Sequence, residues 1–98
     1  MYGTVARMRL KPGMEAQLRA MSDEENAAQV PDFVGQYVYR MDNDPNEFYL
    51  TVVFASKEAY VANANSPEQH ARYEQMVDML AAEPEWHDGE IVYMWPQR

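Results

Sequence analysis

The chain has 98 residues, 47% of them apolar, with sixteen acids against eight Lys and Arg and a formal charge of −8. That balance argues against nucleic acid, whose phosphates need clustered cations, and against anionic membrane surfaces. There is no cysteine, which excludes disulfides, iron–sulfur clusters and thiolate zinc sites.

One domain spanning residues 1–98 fits this length. A domain so small leaves roughly a third of its chain surface in water and gains from a partner. No segment approaches the ~18 consecutive apolar residues of a membrane span, and "MYGTVARMRL" lacks the long apolar run of a signal peptide. The expected location is cytoplasmic.

Residues 2–10 alternate, with Tyr2, Thr4, Ala6, Met8 and Leu10 on one side and Val5, Arg7 and Arg9 on the other, which predicts a strand. "KPG" stops it at Lys11 to Gly13. A helix follows from Met14 to Ala28, its inner stripe formed by Met14, Leu18, Met21, Glu25 and Ala28. Glu25 is the anomaly in that stripe.

Val34 to Met41 and Phe48 to Phe54 read as two strands, and the short polar "DNDPNE" between them predicts an antiparallel hairpin. Ser56 caps a short helix, "SKEAYVANAN". Ser66, Pro67 and Gln69 then form a capping box with proline at the first helical position, starting a helix that runs to about Ala82. "HDG" at His87 to Gly89 predicts a turn, and "EIVYMW" at Glu90 to Trp95 a fourth strand.

The order is βαββαβ with the second helix split, which predicts an α+β, ferredoxin-like fold: a four-stranded antiparallel sheet with helices on one face. The third and fourth predicted strands are apolar on both faces, and the chain has no spare element to cover the second face. A homodimer joined through the open sheet face is the expected solution. Arg7 and Arg9 fall on that face, where they need acids such as Glu90 or carboxylates of a partner; they read as dimer specificity first and an anion site second.

Several stretches together resemble the antibiotic biosynthesis monooxygenase superfamily of dimeric α+β barrel proteins. They are the first strand ending in "LKPG", the Gly…Asp…Pro…Phe hairpin within "FVGQYVYRMDNDPNEFYLTVVF", the following "SKEAYVAN", and the helix start "SPEQH". The resemblance covers residues 2 to 95. It implies a dimeric barrel with a ligand pocket between helix and sheet. It leaves activity open, since the superfamily holds oxygenases, haem-degrading enzymes, isomerases, decarboxylases and proteins of unknown role. Phe54 stands where a tryptophan is common. Ala6 stands where haem-degrading members carry an asparagine, and their haem-ligand histidine falls nearer Tyr73 than His70. These departures disfavour haem degradation.

On the capped helix, His70, Tyr73, Val77 and Leu80 share one face at spacings of three, four and three, which predicts that His70 and Tyr73 point inward near the helix start. The imidazole there suits a base for a phenolic substrate, and the tyrosine a donor to an oxyanion. A hydrogen-bonded pair at the core edge explains the same pattern. Glu25 reads as a second pocket acid, or as a helix end projecting into water. Tyr37 and Tyr39, sharing one strand face, suit a flat aromatic ligand or packing under helices and at a dimer seam. Trp86 divides the same way, and Asn63 reads as a ligand contact or a turn former.

With two histidines there is no accepted metal-ligand spacing, and no nucleotide, flavin or nicotinamide motif occurs, so no metal or cofactor is expected. The resemblance and the pocket imply a cofactor-independent monooxygenase acting on a phenolic, quinol-like or polyketide-type aromatic. A non-enzymatic small-molecule-binding or stress-related protein on the same scaffold is the alternative, and haem binding or degradation the third.

Overall fold

Alternation along the first strand sets the architecture. The computed structural model describes residues 1–27 and 30–96, without the side chains of Glu25, Asn26 and Ala27. Ala28, the expected end of the first helix, therefore lies outside the described residues, as does the Glu25 side chain.

Strand β1 (Tyr2–Arg9) buries Thr4, Ala6 and Met8 and exposes Val5, Arg7 and Arg9, as a period of two requires. It takes the middle of the sheet, pairing antiparallel with β3 (Glu47–Phe54) on one side and β4 (Glu85–Glu90) on the other. Strand β2 (Phe33–Arg40) pairs antiparallel with β3, giving the order β2-β3-β1-β4.

Gly13, at a φ of 82°, makes the turn into helix α1 (Glu15–Ala27). Helices α2 (Lys57–Ala64) and α3 (Pro67–Asp78) follow the hairpin, each started by its serine. Ser56 Oγ accepts the Ala59 N–H and Ser66 Oγ the Gln69 N–H, both at 3.1 Å. This is the ferredoxin-like α+β order expected, with the second helix split at Ser66.

The core forms where helices α1 and α3 meet the sheet. Met8 and Phe48 from the strands and Leu10 just past β1 pack with Leu18, Met76, Met79 and Leu80. Each large side chain buried this way contributes about 1.5–3 kcal/mol.

Two expectations are corrected here. Helix α3 ends at Asp78 rather than near Ala82, because Met79 and Leu80 turn into the core. Leu80 bridges Leu10, and the Ala81 N–H donates to the Arg9 carbonyl at 2.8 Å. The chain thus returns to the β1 edge early and pairs at once, so β4 is the polar "EWHDGE" and not "EIVYMW". A polar edge strand suits an edge left open to water. The expected turn residues His87, Asp88 and Gly89 lie opposite Val5, Thr4 and Gly3. The apolar segment runs on past the sheet, with Val92 86%, Tyr93 78% and Trp95 78% exposed.

The arginines of the open face also differ from expectation. Arg7 pairs with Glu47 and Glu85, and Arg9 with Asp44, all within the chain and half exposed, and Glu90 takes no part. Such exposed pairs contribute little to stability. No helix among the described residues is long and apolar enough to cross a membrane.

Gly3 carries the tightest backbone contact. A Cβ there would sit 1.9 Å from the Val52 carbonyl oxygen, so β1 and β3 approach as they do only because this residue has no side chain. Gly35 has open space around it. Gly3→Ala is expected to cost about 2 kcal/mol or more through forced strand separation, and Gly35→Ala to change stability by less than about 1 kcal/mol. Urea unfolding of the two variants checks the contrast.

Candidate functional site

Between the helices and the Thr4–Phe54 end of the sheet lies a cavity of about 300 Å³. Its floor follows from the strand register. Gln36 and Thr4 both lie opposite Val52, and Asp88 lies opposite Thr4, so one row across the sheet reads Gln36, Val52, Thr4, Asp88. The next row reads Val38, Leu50, Ala6, Trp86. A polar row thus lies beside an apolar one on the face turned to the helices. Leu18, Leu50 and Met76 close the inner end, where the cavity meets the core.

The α2–α3 junction builds the polar wall. Ser66 donates from both its N–H (3.0 Å) and its hydroxyl (2.8 Å) to the Asn63 carbonyl, locking the two helices at a fixed corner. The capping box is therefore only half formed. Instead of reaching back to the Ser66 N–H, the Gln69 side-chain oxygen accepts from Asn63 Nδ2 at 3.4 Å and Arg72 Nε at 3.3 Å. Asn63, Gln69 and Arg72 all line the cavity. Asn63 lies in the last turn of α2, its carbonyl holding the corner while its side chain lines the cavity. A second depression, of about 440 Å³, shares Val30, Asn63 and Arg72 with the first, and these residues stand between the two.

Aromatic rings make the remaining walls. Tyr73 packs against the core and lies 6.2 Å, centroid to centroid, from Trp86. On the other side Tyr60 meets Tyr2 at 5.3 Å and Phe54 at 5.7 Å, edge to face. The Tyr60 hydroxyl donates to Asp88 Oδ1 at 2.8 Å. Burial first, and then this bond to a carboxylate, push the Tyr60 phenol from its ordinary 10.0 up to about 12. The Thr4 hydroxyl lies near enough to pull weakly the other way. Thr4 Oγ1 and Gln36 Nε2 are both buried without a partner among the described residues.

The structure thus brings Tyr73, Asn63 and Trp86 together around one cavity, with His70 at its mouth. His70 does not point inward as expected. Its side chain is 74% exposed, and its Nε2 lies 2.9 Å from Glu74 one turn along. The inward stripe of α3 is Gln69, Tyr73 and Met76, rotated from the expected one; Val77 is exposed and Leu80 lies beyond the helix. Tyr37 and Tyr39 are not part of the cavity. They lie opposite Thr51 and Tyr49 on the open face, 69% and 53% exposed, because β2 turns Gln36 and Val38 to the helices instead. Glu25 belongs to α1, and its side chain lies outside the described residues.

Sequence reasoning missed Thr4, Gln36, Tyr60, Gln69 and Arg72. Two of these left a signal. Thr4 stands among apolar residues in the buried stripe of β1, and Gln36 occupies a helix-facing position in a strand otherwise rich in valine and tyrosine.

A ferredoxin-like α+β protein, with its helices on one sheet face and a lined cavity beneath them, is the class these features define. The family model described as antibiotic biosynthesis monooxygenase matches residues 1–75, and the chain belongs to that family. No curated protein matches its sequence. Among solved structures, the chain is similar to SnoaB, a cofactor-independent oxygenase from Streptomyces nogalater, in its N63A mutant form. The TM-score is 0.82 at 15% identity, with 98% of this chain and 97% of that one covered. It is also similar to Rv0793 from Mycobacterium tuberculosis, with a TM-score of 0.75, 17% identity and 96% and 97% covered. A conserved protein from Methanosarcina mazei Go1 gives 0.76, 13% identity and 90% and 89% covered. At these identities the likeness is one of fold.

The Tyr60 environment can be read by titration. A phenol raised in the folded state adds stability that is complete below pH 10 and is lost as the pH climbs through about 12. Among the seven tyrosines, Tyr60 is expected to ionise late, near pH 12, in a phenolate absorbance titration. Tyr60→Phe should remove that step and flatten the alkaline loss of stability.

Proposed function

We propose that this chain is a cofactor-independent monooxygenase acting on a phenolic, quinol-like or polyketide-type aromatic. The observation that carries the reading is the cavity itself, an apolar chamber lined in part by amides, phenols and an imidazole, in a member of this family. A flat ring lies against Tyr73 and Trp86, with Asn63 as a polar contact.

His70 is the proposed base. Glu74 engages Nε2, which holds the proton of the neutral imidazole there and leaves the lone pair on Nδ1. A phenolic hydroxyl at the cavity mouth gives its proton to that nitrogen, and Tyr73 donates a hydrogen bond to the resulting oxyanion. The electron-rich anion then reacts at carbon with dioxygen. For an activated ring methylene, a C–O bond forms, the O–O bond breaks, and a carbonyl and one water result. One oxygen atom ends in the product and the other in water, and the substrate furnishes every electron. Glu25 is the second candidate for the base.

In this reading the protein works as a homodimer. The open sheet face exposes Val5, Tyr37 and Tyr39, and the segment after β4 exposes Val92, Tyr93 and Trp95. Apolar surface of this extent marks an interaction site, and an unpaired sheet face suits a second copy of itself. Tyr37 and Tyr39 belong to that seam.

Oxygen uptake with dithranol and no added cofactor tests the activity. The expected result is uptake above autoxidation, with His70→Ala lowering kcat/KM by roughly 10²-fold and Tyr73→Phe also by roughly 10²-fold. No uptake above autoxidation contradicts the oxygenase reading, and uptake indifferent to both variants removes these residues from the chemistry. Sedimentation of the same preparations reads the assembly: a dimer is expected, and Tyr37→Glu should shift it towards monomer.

A further inference from the structure

Resting on that reading of the cavity, the geometry points to a specific oxygen-recognition floor. We infer that Gln36, with Thr4 beside it, reads oxygen substituents on the edges of a flat polycyclic ligand. Gln36 thereby sets which aromatics the cavity accepts.

The argument starts from cost. A buried polar atom left without a hydrogen bond destabilises the fold, and proteins retain few of them. Among the described residues this chain has two such side-chain atoms, Gln36 Nε2 and Thr4 Oγ1, and both residues line the same cavity. They are also neighbours in the sheet. Both lie opposite Val52, one on each side, so they stand two strands apart in a single row. That is about 9.6 Å between backbones, and the two side chains shorten the gap.

Gln36 carries the larger share. Its position on β2 alternates with Val38 on the helix-facing side, where an apolar residue would pack without penalty. An amide N–H₂ there is a buried donor for which the described residues supply no acceptor. Thr4, 4% exposed, adds a hydroxyl beside Val52. Asp88 and Tyr60 are engaged with each other at the end of the same row, with Thr4 near the phenol oxygen, which leaves the Gln36 amide as the principal donor to meet the ligand. An apolar ring between Gln36 and Thr4 rests on Val52, and carbonyl or phenolic oxygens on two ring edges reach the two donors. A hydrocarbon of the same shape leaves both donors unpaired, so discrimination by oxygen content follows.

The test uses a pair of probes with the same three-ring skeleton and sulfonate, anthraquinone-β-sulfonate and anthracene-β-sulfonate, the first with two carbonyls where the second has C–H. Calorimetric titration of the wild-type protein is expected to show the quinone binding at least about tenfold more tightly. Gln36→Leu should remove most of that preference by weakening the quinone alone, and Thr4→Val should remove a smaller part. In the unliganded protein both variants should melt at the wild-type temperature or above it, because each removes an unpaired buried group.

Equal affinity for the two probes in wild type, failure of both to bind, or an equal loss for both in Gln36→Leu overturns the inference. So does a lower melting temperature of unliganded Gln36→Leu, which would make the amide part of the fold's own bonding. Oxygen uptake by a protein without this preference would leave the oxygenase reading standing while overturning the floor. Preference without uptake on dithranol would do the reverse.

Discussion

Helices α1 and α3 are held against one end of the sheet and not against the other, and the rest of the structure depends on that inequality. Along the helix-facing stripe of β1 the long side chains of Leu10 and Met8 give way to the short ones of Ala6 and Thr4. Large residues at one end meet Leu18, Met76, Met79 and Leu80 and close the core. The short ones cannot fill the space beneath the α2–α3 corner, while Gly3, on the other face of β1, lets the β3 backbone come close. Interiors pack densely where side chains allow it. Here the missing volume becomes the cavity, and its position is fixed by where the stripe changes size.

The same strand divides the two faces. Its helix-facing residues make the core and the cavity floor, while Val5, Arg7 and Arg9 look outward with Tyr37 and Tyr39 of β2. The chemistry proposed on one face and the association proposed on the other are therefore linked through β1. A change that shifts its register by one residue would exchange the two sets of side chains and abolish both. The Ser66 corner acts at the next level. Its two bonds to the Asn63 carbonyl fix the angle between α2 and α3, and so the distance from Tyr60 and Asn63 on one helix to Gln69 and Tyr73 on the other.

Much of this was legible in the sequence because it rests on local signals. Alternation gave β1 and the hairpin strands, and Ser56, Ser66 and Pro67 gave the starts of α2 and α3. The family resemblance gave the helix–sheet pocket. What was missed depends on long-range register. "EIVYMW" has the better strand composition, yet the chain reaches the β1 edge at Glu85, because Leu80 is already anchored to Leu10. His70 fits an inward stripe by spacing alone. A stripe through the same Tyr73, Gln69 to Tyr73 to Met76 at spacings of four and three, is equally helical, and the core contact of Met76 decides between them. Tyr37 and Tyr39 looked like pocket residues because aromatic rings suit both a ligand and an interface. Only the pairing of β2 with β3 says which face they take.

The central claim is that ligand enters the helix-covered side of the sheet and lies over the row of Gln36, Val52 and Thr4. Nuclear magnetic resonance of the isotope-labelled protein, titrated with anthraquinone-β-sulfonate, tests it most directly. The account predicts the largest shift changes at the side-chain amides of Gln36, Asn63 and Gln69 and at the Trp86 indole, with Tyr37, Thr51 and Val53 of the open face unmoved. Changes concentrated on the open face, with those amides silent, would contradict it.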